Sequence, residues 1–341
     1  MPQVVVAGRP FDATLNFFVD ELGFRPTLIT PADEPTLAVV ELDGLEVRID
    51  AGVEPSPVTL LIEGDGERRH GPGGIVVDYT PPRRMELPLV DPALSVVRGD
   101  DDGWVTGRAG MRYRDLIPGR WGGRYIASHI EVCDGGPVPD RVHHHDIRFQ
   151  MIFCHRGWVD VVYQDQGPPF RMEAGDCVLQ PPGIRHQVLA SSAGARVVEI
   201  GCPAAHDTLF DNELALPTDT EAPEAVYGGQ RFVRHGGADV AWTAAGPGRH
   251  VQATAIEAAT DGLACVEVWS LAPDAEPLDL THNAELRFVF VLDGAVQAAT
   301  GTGEPEVVLT TGSAMTVPPA TACSVVPAPG GAQLLDVVVE E

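Results

Sequence analysis

The hydrophobic pattern at the start of the chain, over residues 1–64, predicts a small unit of strands and one helix. An apolar run at Val4–Ala7 predicts a strand, and the apolar spacing of residues 12–22 predicts a helix with Asp12 as its cap and Gly23 at its end. The Asp43-Gly44 pair predicts a hairpin turn, and apolar or alternating stretches predict further strands at residues 27–30, 36–42, 45–49 and 58–62. The order of these elements is that of a βαβββ unit.

Residues 65–230 consist of a strand-rich segment between two segments that predict linkers. Residues 65–95 are rich in glycine, proline and charge and predict a linker with one strand at residues 75–78. Residues 206–230 are rich in proline and acidic residues and predict a second linker. Between them, residues 96–205 predict a strand-rich domain whose strands include residues 104–108, 124–132, 151–153, 158–163, 170–172, 188–190 and 196–200.

An internal repeat predicts the architecture of the remainder. A single offset in residue number relates His145 to His282. The same offset relates five pairs of identical residues without a gap. The pairs are His145 and His282, Gly157 and Gly294, Gly175 and Gly312, Pro181 and Pro318, and Pro182 and Pro319. A register shared by so many positions is difficult to reach by chance. Residues 231–341 are therefore predicted to form a second domain of the same fold as residues 96–205. The predicted fold class is mainly β, with two copies of this domain after a small α+β module.

Length, charge and cysteine usage narrow the function classes. The 341 residues predict two or three domains, and 44% apolar content is ordinary for a soluble globular protein. Lysine and arginine number 23 against 49 acidic residues, so the formal net charge of −26 argues against nucleic acid and anionic membranes as partners. The start of the sequence does not resemble a leader peptide and no apolar run of about 20 residues occurs, so neither export nor a membrane span is expected. The six cysteines occur without a CxxC pair. A cytoplasmic location with free thiols is expected.

The segment from residue 142 to residue 186 carries the candidate chemistry. It contains His143-His144-His145, Gln150 and, further on, His186. Because alternate side chains of a strand share a face, His143 and His145 are expected to point the same way, while His144 points away. Two imidazoles on one face are a candidate metal site, and neutral imidazole suits iron, zinc, copper and nickel.

The spacing of this segment resembles the two motifs of the cupin superfamily. Two histidines one residue apart and Gly157 resemble the first motif, whereas Gln150 stands where the family has glutamate and Gly136 precedes His143 by one residue more than usual. The second motif is matched at each position by Gly175, Pro181, Gly183 and His186.

The cupin resemblance implies an antiparallel jelly-roll barrel that holds one divalent metal on His143, His145 and His186. Gln150 would lie nearby or act as a weak ligand. Four neutral ligands would leave the charge of the metal uncompensated, which favours an anionic substrate or a bound hydroxide.

The second copy of the repeat has lost three of the four ligand positions and keeps His282 at the position of His145. The same offset places Leu280 at the position of His143, Arg287 at that of Gln150, Ala320 at that of Gly183 and Cys323 at that of His186. No metal is expected in the second barrel. His282 and Glu285 are expected to be rim residues, with some other site as the alternative.

The N-terminal unit resembles one half of a vicinal oxygen chelate module, the glyoxalase and bleomycin-resistance family. The resemblance rests on FFVDELGFRPTL and VVELDGLEVRID. That family builds its metal site from two halves with histidine and glutamate, but this segment has no histidine before His70 and no second half. A structural or dimer-forming role is therefore expected, and a homodimer is predicted.

Three function classes follow from the predicted metal site. The first is a non-haem Fe(II) dioxygenase of a small anionic organic substrate, because three histidines leave coordination positions open. The second is a Lewis-acid isomerase, lyase or hydrolase with zinc, manganese or nickel, in which Tyr163 or Glu131 would act as the base. The third is a non-catalytic sensor or binding protein. Candidate substrate contacts are Trp121, Tyr125, Arg148, Cys154 and Gln180.

Overall fold

The chain divides into two units, Met1–Arg84 and Met85–Glu341. The computed structural model describes residues 3–31, 33–81, 84–107, 110–301 and 306–341. Within these ranges, no helix combines the length and the apolar character needed to cross a bilayer.

The first unit is built on a four-stranded sheet. Its strands are β1 (Val4–Ala7), β2 (Arg25–Thr30), β3 (Leu37–Leu42) and β4 (Leu45–Asp50), in the order β1-β4-β3-β2 with β1 parallel to β4. Helix α1 (Phe11–Asn16) continues as a π-helical turn (Phe17–Glu21) and buries Phe17 and Phe18 against the sheet. The predicted βαβββ order is present, but Pro10 occupies the N-cap and Asp12 lies inside the first turn.

A second sheet of this unit lies where a linker was expected. Strands β5 (Val58–Glu63), β6 (Arg69–His70) and β7 (Ile75–Thr80) pair in the order β5-β7-β6, and a 3₁₀ turn (Pro72–Gly74) precedes β7. Ile75 and Val77 are buried in the same core as Phe18. The glycines of this segment mark turns between short strands, so residues 65–80 belong to the folded unit.

The first barrel consists of two sheets. The strands are β9 (Trp104–Thr106), β10 (Arg112–Asp115), β11 (Ile126–Val132), β12 (Gly136–Pro137), β13 (His143–Asp146), β14 (Phe149–Arg156), β15 (Trp158–Tyr163), β16 (Phe170–Glu173), β17 (Cys177–Leu179), β18 (His186–Ser191), β19 (Ala195–Cys202), β20 (Asp207–Phe210) and β23 (Val233–His235). A seven-stranded sheet has the order β23-β17-β14-β19-β11-β10-β9, and a six-stranded sheet has the order β16-β15-β18-β13-β20, with β12 on β18.

The second barrel is one continuous sheet with the order β24-β25-β26-β31-β28-β30-β8. Strands β27 and β29 pair with β31 and β28. A separate hairpin, β21 (Val226–Tyr227) and β22 (Gln230–Arg231), precedes it, and single helical turns lie at Arg120–Gly123 and Ile256–Ala259. The strands of the sheet are β8 (Ser95–Val97), β24 (Thr243–Ala244), β25 (Arg249–Ala253), β26 (Ala264–Leu271), β27 (Leu278–Asp279), β28 (Leu286–Thr300), β29 (Val307–Thr310), β30 (Ala314–Val317) and β31 (Cys323–Val339).

The two barrels exchange their first strands. Strand β8, which precedes the first barrel, pairs with β30 of the second, with Val97 opposite Ala314. Strand β23, which precedes the second barrel, pairs with β17 of the first, with His235 opposite Cys177. Periodicity identifies a strand but not its partner, so the predicted bounds 96–205 and 231–341 miss this exchange. The linker predicted at 206–230 likewise contains β20, which pairs with β13.

The repeat predicted from the sequence is confirmed. Strands β14 and β28 begin at Phe149 and Leu286, and strands β16 and β29 begin at Phe170 and Val307, so the offset found in the sequence relates both pairs of strands. The turn of the second motif is also kept, since Gly183 and its counterpart Ala320 both have positive φ, at 78° and 57°.

The interior of the second barrel is packed. Leu280 and Cys323, at the positions of His143 and His186, are buried in an apolar cluster. Arg287 forms a bidentate ion pair with the buried Asp336, at 3.0 and 2.6 Å. Three positions that correspond to predicted metal ligands of the first barrel are therefore occupied by two buried apolar side chains and by an arginine in an ion pair.

The two residues predicted to lie at the rim of the second barrel are engaged elsewhere. Glu285 is almost buried and bonds to Arg124 and Tyr125, because it lies between the barrels. His282 Nε2 donates to the carbonyl of Val317 at 2.8 Å.

Candidate metal centre

Two neighbouring strands bring three histidines together. His143 and His145 lie on β13, and His186 begins β18 directly opposite His143. One ligand atom of each ring lies within 4.8 Å of the others. The alternation of β13 places His144 outside this cluster, as the sequence predicts. The structure thus assembles the three histidines that the motif spacing singles out.

The Nδ1 atom of each ring is held by a hydrogen bond. His143 Nδ1 donates to the carbonyl of Arg141 at 2.7 Å, and His186 Nδ1 donates to the carbonyl of Ile184 at 3.1 Å. His145 Nδ1 lies 3.2 Å from Thr208 Oγ1 on β20. Such outer contacts fix the tautomer and orientation of metal-binding imidazoles. The donor set and its support therefore fit a divalent transition metal at Nε2.

Gln150 connects this cluster to a carboxylate. Its side chain is 1% exposed and donates from Nε2 to Glu199 Oε1 at 2.5 Å. Glu199 lies on β19 opposite Ile152 and faces the same cavity, although it is not a member of the three-histidine cluster. One carboxylate therefore lies a single hydrogen bond from Gln150, although the predicted ligands themselves are all neutral.

The histidines open on a cavity of about 280 Å³ inside the first barrel. Most of the wall is apolar and includes Met111, Ile126, Ile130, Val132, Val138, Ile152, Val159, Val161, Met172, Val188 and Val197. Polar groups are contributed by Tyr113, Ser128, Asp140, Gln150, Tyr163, Gln180, Gln187, Glu199, His206 and Thr208. Among the described residues that line the cavity, none is lysine or arginine.

Tyr163 and Gln180 form a buried pair in this wall. Tyr163 stacks on His186 with 5.5 Å between ring centroids, and its hydroxyl donates to Gln180 Oε1 at 2.5 Å. Burial raises the pKa of Tyr163 well above its ordinary value. Tyr163 therefore lies where the sequence analysis expects it, but as a proton donor. The raised pKa and this donated hydrogen bond favour the neutral phenol, which argues against a role for Tyr163 as the base.

Glu131, the other candidate base, lies outside the cavity. Ser128, Ile130 and Val132 of β11 face the cavity, so the alternation of the strand turns Glu131 to the opposite face. There its carboxylate pairs with Arg112 at 3.7 Å and with Arg196 at 3.4 Å.

Three of the predicted substrate contacts support the junction of the barrels instead. Arg148 lies 3.8 Å from Glu285, and Tyr125 donates its hydroxyl to the same carboxylate. Trp121 is buried and donates to the carbonyl of Ala93 at 3.1 Å. These side chains contact the second barrel or its lead-in segment, which sequence position alone does not reveal.

Cys154 is also absent from the cavity wall, whereas Gln180 lines it. Cys154 lies four residues beyond Gln150 on β14, about 13 Å along the strand. Its side chain is buried among apolar residues, which raises the pKa of the thiol to about 12. Alternation predicted the correct face of the strand but not the depth of the cavity.

Sequence reasoning missed several polar residues of the site, among them Asp140, Glu199, His206 and Thr208. His206 lies edge-on to His145 with ring centroids 5.2 Å apart, and Asp140 Oδ1 lies 3.6 Å from His143 Nδ1. A lone acidic residue within the apolar run of residues 195–202 could have identified Glu199. His206 and Thr208 lay in a segment assigned to a linker.

Comparisons with known proteins identify the fold. Neither protein-family models nor curated proteins give a match to the sequence. Among solved structures, the putative glyoxylate-induced protein of Pseudomonas aeruginosa is similar with a TM-score of 0.54 and 12% identity, over 75% of this chain and 92% of its own. A variant of Bacillus subtilis oxalate decarboxylase gives 0.54 and 10%, over 75% and 78%. The protein Ylba of E. coli gives 0.51 and 10%, over 74% and 93%. At these identities the comparisons establish the bicupin fold alone.

Proposed function

We propose that the first barrel binds one divalent metal ion through His143, His145 and His186 and that the chain is a metal-dependent enzyme. The observation that carries this proposal is the convergence of three ligand atoms within 4.8 Å on the wall of a largely apolar cavity. Three neutral imidazoles leave coordination positions open, which suits Fe(II) together with dioxygen and an organic substrate. We therefore favour a non-haem iron dioxygenase.

A metal ion bound there would supply a positive charge and open coordination positions for an oxygen donor of the substrate. The protein's own residues would do the rest. Gln150 holds the carboxylate of Glu199 in the cavity, where it can accept a proton from a substrate hydroxyl. Tyr163 is a neutral phenol that lies near enough to Glu199 to be affected by its charge, and the apolar wall excludes water from the reacting groups.

The cavity supports a neutral substrate with an apolar body. No lysine or arginine is among the described lining residues, and Asp140 and Glu199 contribute two carboxylates. A substrate with a carboxylate remote from the metal would lack a counter-charge and would be repelled by these groups. The sequence led us to expect an anionic substrate. We now propose a substrate with a single charged or polar group, and this group binds the metal.

A second reaction class draws support from Glu199. A carboxylate base and a phenol donor within one cavity are the groups that a Lewis-acid isomerase or lyase needs. Zinc, nickel or manganese could serve this chemistry, and Mn(II) centres are named for the structurally similar oxalate decarboxylase. This alternative requires no dioxygen.

The test combines metal reconstitution with two product assays. Protein loaded with iron is screened in an oxygen electrode with phenols and thiols, and with small carboxylates as the charged comparison. The same substrates are incubated anaerobically with zinc, nickel or manganese protein, and products are detected by mass spectrometry. His186→Ala is the control for the metal site.

Oxygen uptake that requires both iron and a neutral substrate and that disappears in His186→Ala is the expected result. Anaerobic turnover that depends on His186 would favour the Lewis-acid class instead. A ligand-induced rise in melting temperature without turnover under either condition would contradict both enzyme classes and leave a binding protein or sensor.

A homodimer that forms through the first unit also remains a proposal. Strand β2 is an edge strand, and Leu28 and Ile29 on it are 47% and 45% exposed. Exposed apolar edges favour pairing with another chain. Light scattering on the wild type and on Ile29→Lys tests this expectation, and an unchanged mass in the variant would argue against this surface.

A further inference from the structure

A second cavity lies on the opposite face of the sheet that forms the metal site. It has a volume of about 370 Å³ and is bounded by strands β9, β10, β11, β14 and β19, by the loop of residues 99–102 and by Thr311 and Gly312 of the second barrel. We call it the seam cavity, because it lies where the two barrels meet. None of its residues takes part in the proposed reaction.

The floor of the seam cavity contains a buried arginine without a carboxylate partner. Arg114 is 2% exposed and donates to the carbonyls of Arg98, Gly99 and Gly312, at 3.1, 2.9 and 2.6 Å. Its Nε is buried and has no hydrogen-bond partner among the described residues. None of the ion pairs between described residues includes Arg114, and Asp100 and Asp101 act on its charge through space without an ion-pair contact. A buried guanidinium with an unused N–H and no carboxylate in contact is costly, so an oxyanion in direct contact with it would be stabilising.

The other half of the repeat provides an internal comparison. Gln252 lies one position beyond the counterpart of Arg114 in the second copy, and it donates to the carbonyls of Gly237 and Val240, at 2.9 and 2.5 Å. Gly237 adjoins the exchanged strand β23, just as Gly99 adjoins the exchanged strand β8. A neutral amide thus suffices to hold the loop beside an exchanged strand. The positive charge at Arg114 is not needed for that structural role.

The histidines beside Arg114 do not compete for the same ligand. Arg114 donates to His129 Nδ1 at 3.2 Å, so His129 must donate from Nε2 to His155 Nδ1, at 3.1 Å. His155 Nε2 in turn donates to the carbonyl of Leu292 at 3.0 Å. Both rings are therefore neutral, and burial lowers the pKa of His129 to about 2. Their polar atoms are already occupied.

Charge is separated between the inside of the cavity and its mouth. Arg112, Arg114 and Arg196 lie 5.3, 5.3 and 5.5 Å from the ring of Trp104, and Glu131 is the carboxylate that pairs with two of them. At the mouth, the three consecutive residues 100–102 are exposed aspartates. A ligand with two negative ends would meet this acidic loop.

We infer that the seam cavity is a binding site for a small molecule with one oxyanion group, which contacts Arg114 between Arg112 and Arg196, and with a neutral or cationic opposite end. A short amino acid whose carboxylate and ammonium groups are well separated fits both the floor and the mouth. The site is independent of the metal centre, since the two cavities are on opposite faces of one sheet.

The probes are γ-aminobutyrate, butyrate and succinate, compared at matched ionic strength. Binding is measured on the full-length, chelator-treated protein by thermal shift and calorimetry. Arg114→Gln copies the side chain that holds the equivalent loop in the other half of the repeat, so it should fold. Arg196→Gln alters a partly exposed wall residue and serves as a second, milder variant.

We expect saturable stabilisation by γ-aminobutyrate in the wild type and in His186→Ala. Arg114→Gln should raise the half-saturating concentration at least about tenfold, Arg196→Gln about threefold, and succinate should bind more weakly than γ-aminobutyrate. No stabilisation of the wild type, an equal response in Arg114→Gln, or a response lost in His186→Ala but kept in Arg114→Gln would overturn the assignment. Succinate binding as tightly as γ-aminobutyrate would overturn the role of the acidic mouth.

Discussion

Replacement of Gln150 by glutamate is a sharp test of how the metal site is built. Gln150 Nε2 now donates to Glu199 Oε1 at 2.5 Å. Gln150→Glu would put two carboxylates at about that separation, in a cavity that the amide now bridges. Without a metal ion, the variant must either bear the repulsion or bind a proton between the two groups.

The magnitudes favour proton binding. Two unit charges 2.5 Å apart repel by about 6–7 kcal/mol at an effective dielectric constant of about 20. Protonating one carboxyl of ordinary pKa at pH 7 costs about 4 kcal/mol. The pair therefore keeps one proton, and its folded pKa lies above the unfolded value. The stability of the variant is intact below pH ~4.3 and falls by about 1.4 kcal/mol per pH unit above it, until the raised pKa is passed.

The assay is urea denaturation of chelator-treated protein at pH 5 and pH 7. We expect Gln150→Glu to lose about 2–3 kcal/mol of stability relative to the wild type between these two pH values. A divalent metal relieves the repulsion, so its affinity at pH 7, measured by competition with a fluorescent chelator, should rise by about 10- to 100-fold.

The matched control exchanges the two groups. Gln150→Glu combined with Glu199→Gln keeps one amide and one carboxylate and should remove the additional pH dependence. If Gln150→Glu shows the wild-type pH dependence and binds metal no more tightly, Gln150 does not lie beside both Glu199 and the metal, and the reasoning fails.

Three further changes test the surroundings of the site by denaturation. Tyr163→Phe leaves the buried Gln180 without its hydrogen-bond donor, so the free energy of unfolding should fall by about 1–2 kcal/mol. A variant as stable as the wild type would argue against this hydrogen bond. Arg287→Met leaves Asp336 buried and unpaired, so the free energy of unfolding should fall by about 3–5 kcal/mol. If the pair is structural, adding Asp336→Leu to this variant should restore most of that loss. The Cβ atom added by Gly183→Ala meets no atom within 4 Å, but the residue keeps φ near 78°. We therefore expect a loss of about 1 kcal/mol in the free energy of unfolding, and a much larger loss would indicate a clash.

The metal-site histidines could be predicted from the sequence because two local rules determine them. Alternation along a strand puts His143 and His145 on one face, and the turn that ends at Gly183 delivers His186 to the neighbouring strand. The internal repeat then predicts the second barrel and the loss of its ligands. None of these inferences needs knowledge of distant contacts.

The residues that sequence reasoning misplaced depend on long-range pairing. Glu199 reaches Gln150 only because β19 pairs with β14, 49 residues away along the chain. Arg148 and Tyr125 face Glu285 because the barrels pack against each other, which a local pattern does not predict. The exchange of β8 and β23 has the same origin, because periodicity indicates a strand but not which sheet it joins.

The metal content of the purified protein tests the central claim most directly. The protein is purified without added metal or chelator, and elemental mass spectrometry is performed on the wild type, on His145→Ala and on His250→Ala, which changes an exposed histidine of β25. We expect one equivalent of a divalent metal per chain in the wild type and in His250→Ala, and its loss in His145→Ala. Equal metal in all three proteins, or none in the wild type even after reconstitution, would contradict the proposed metal site.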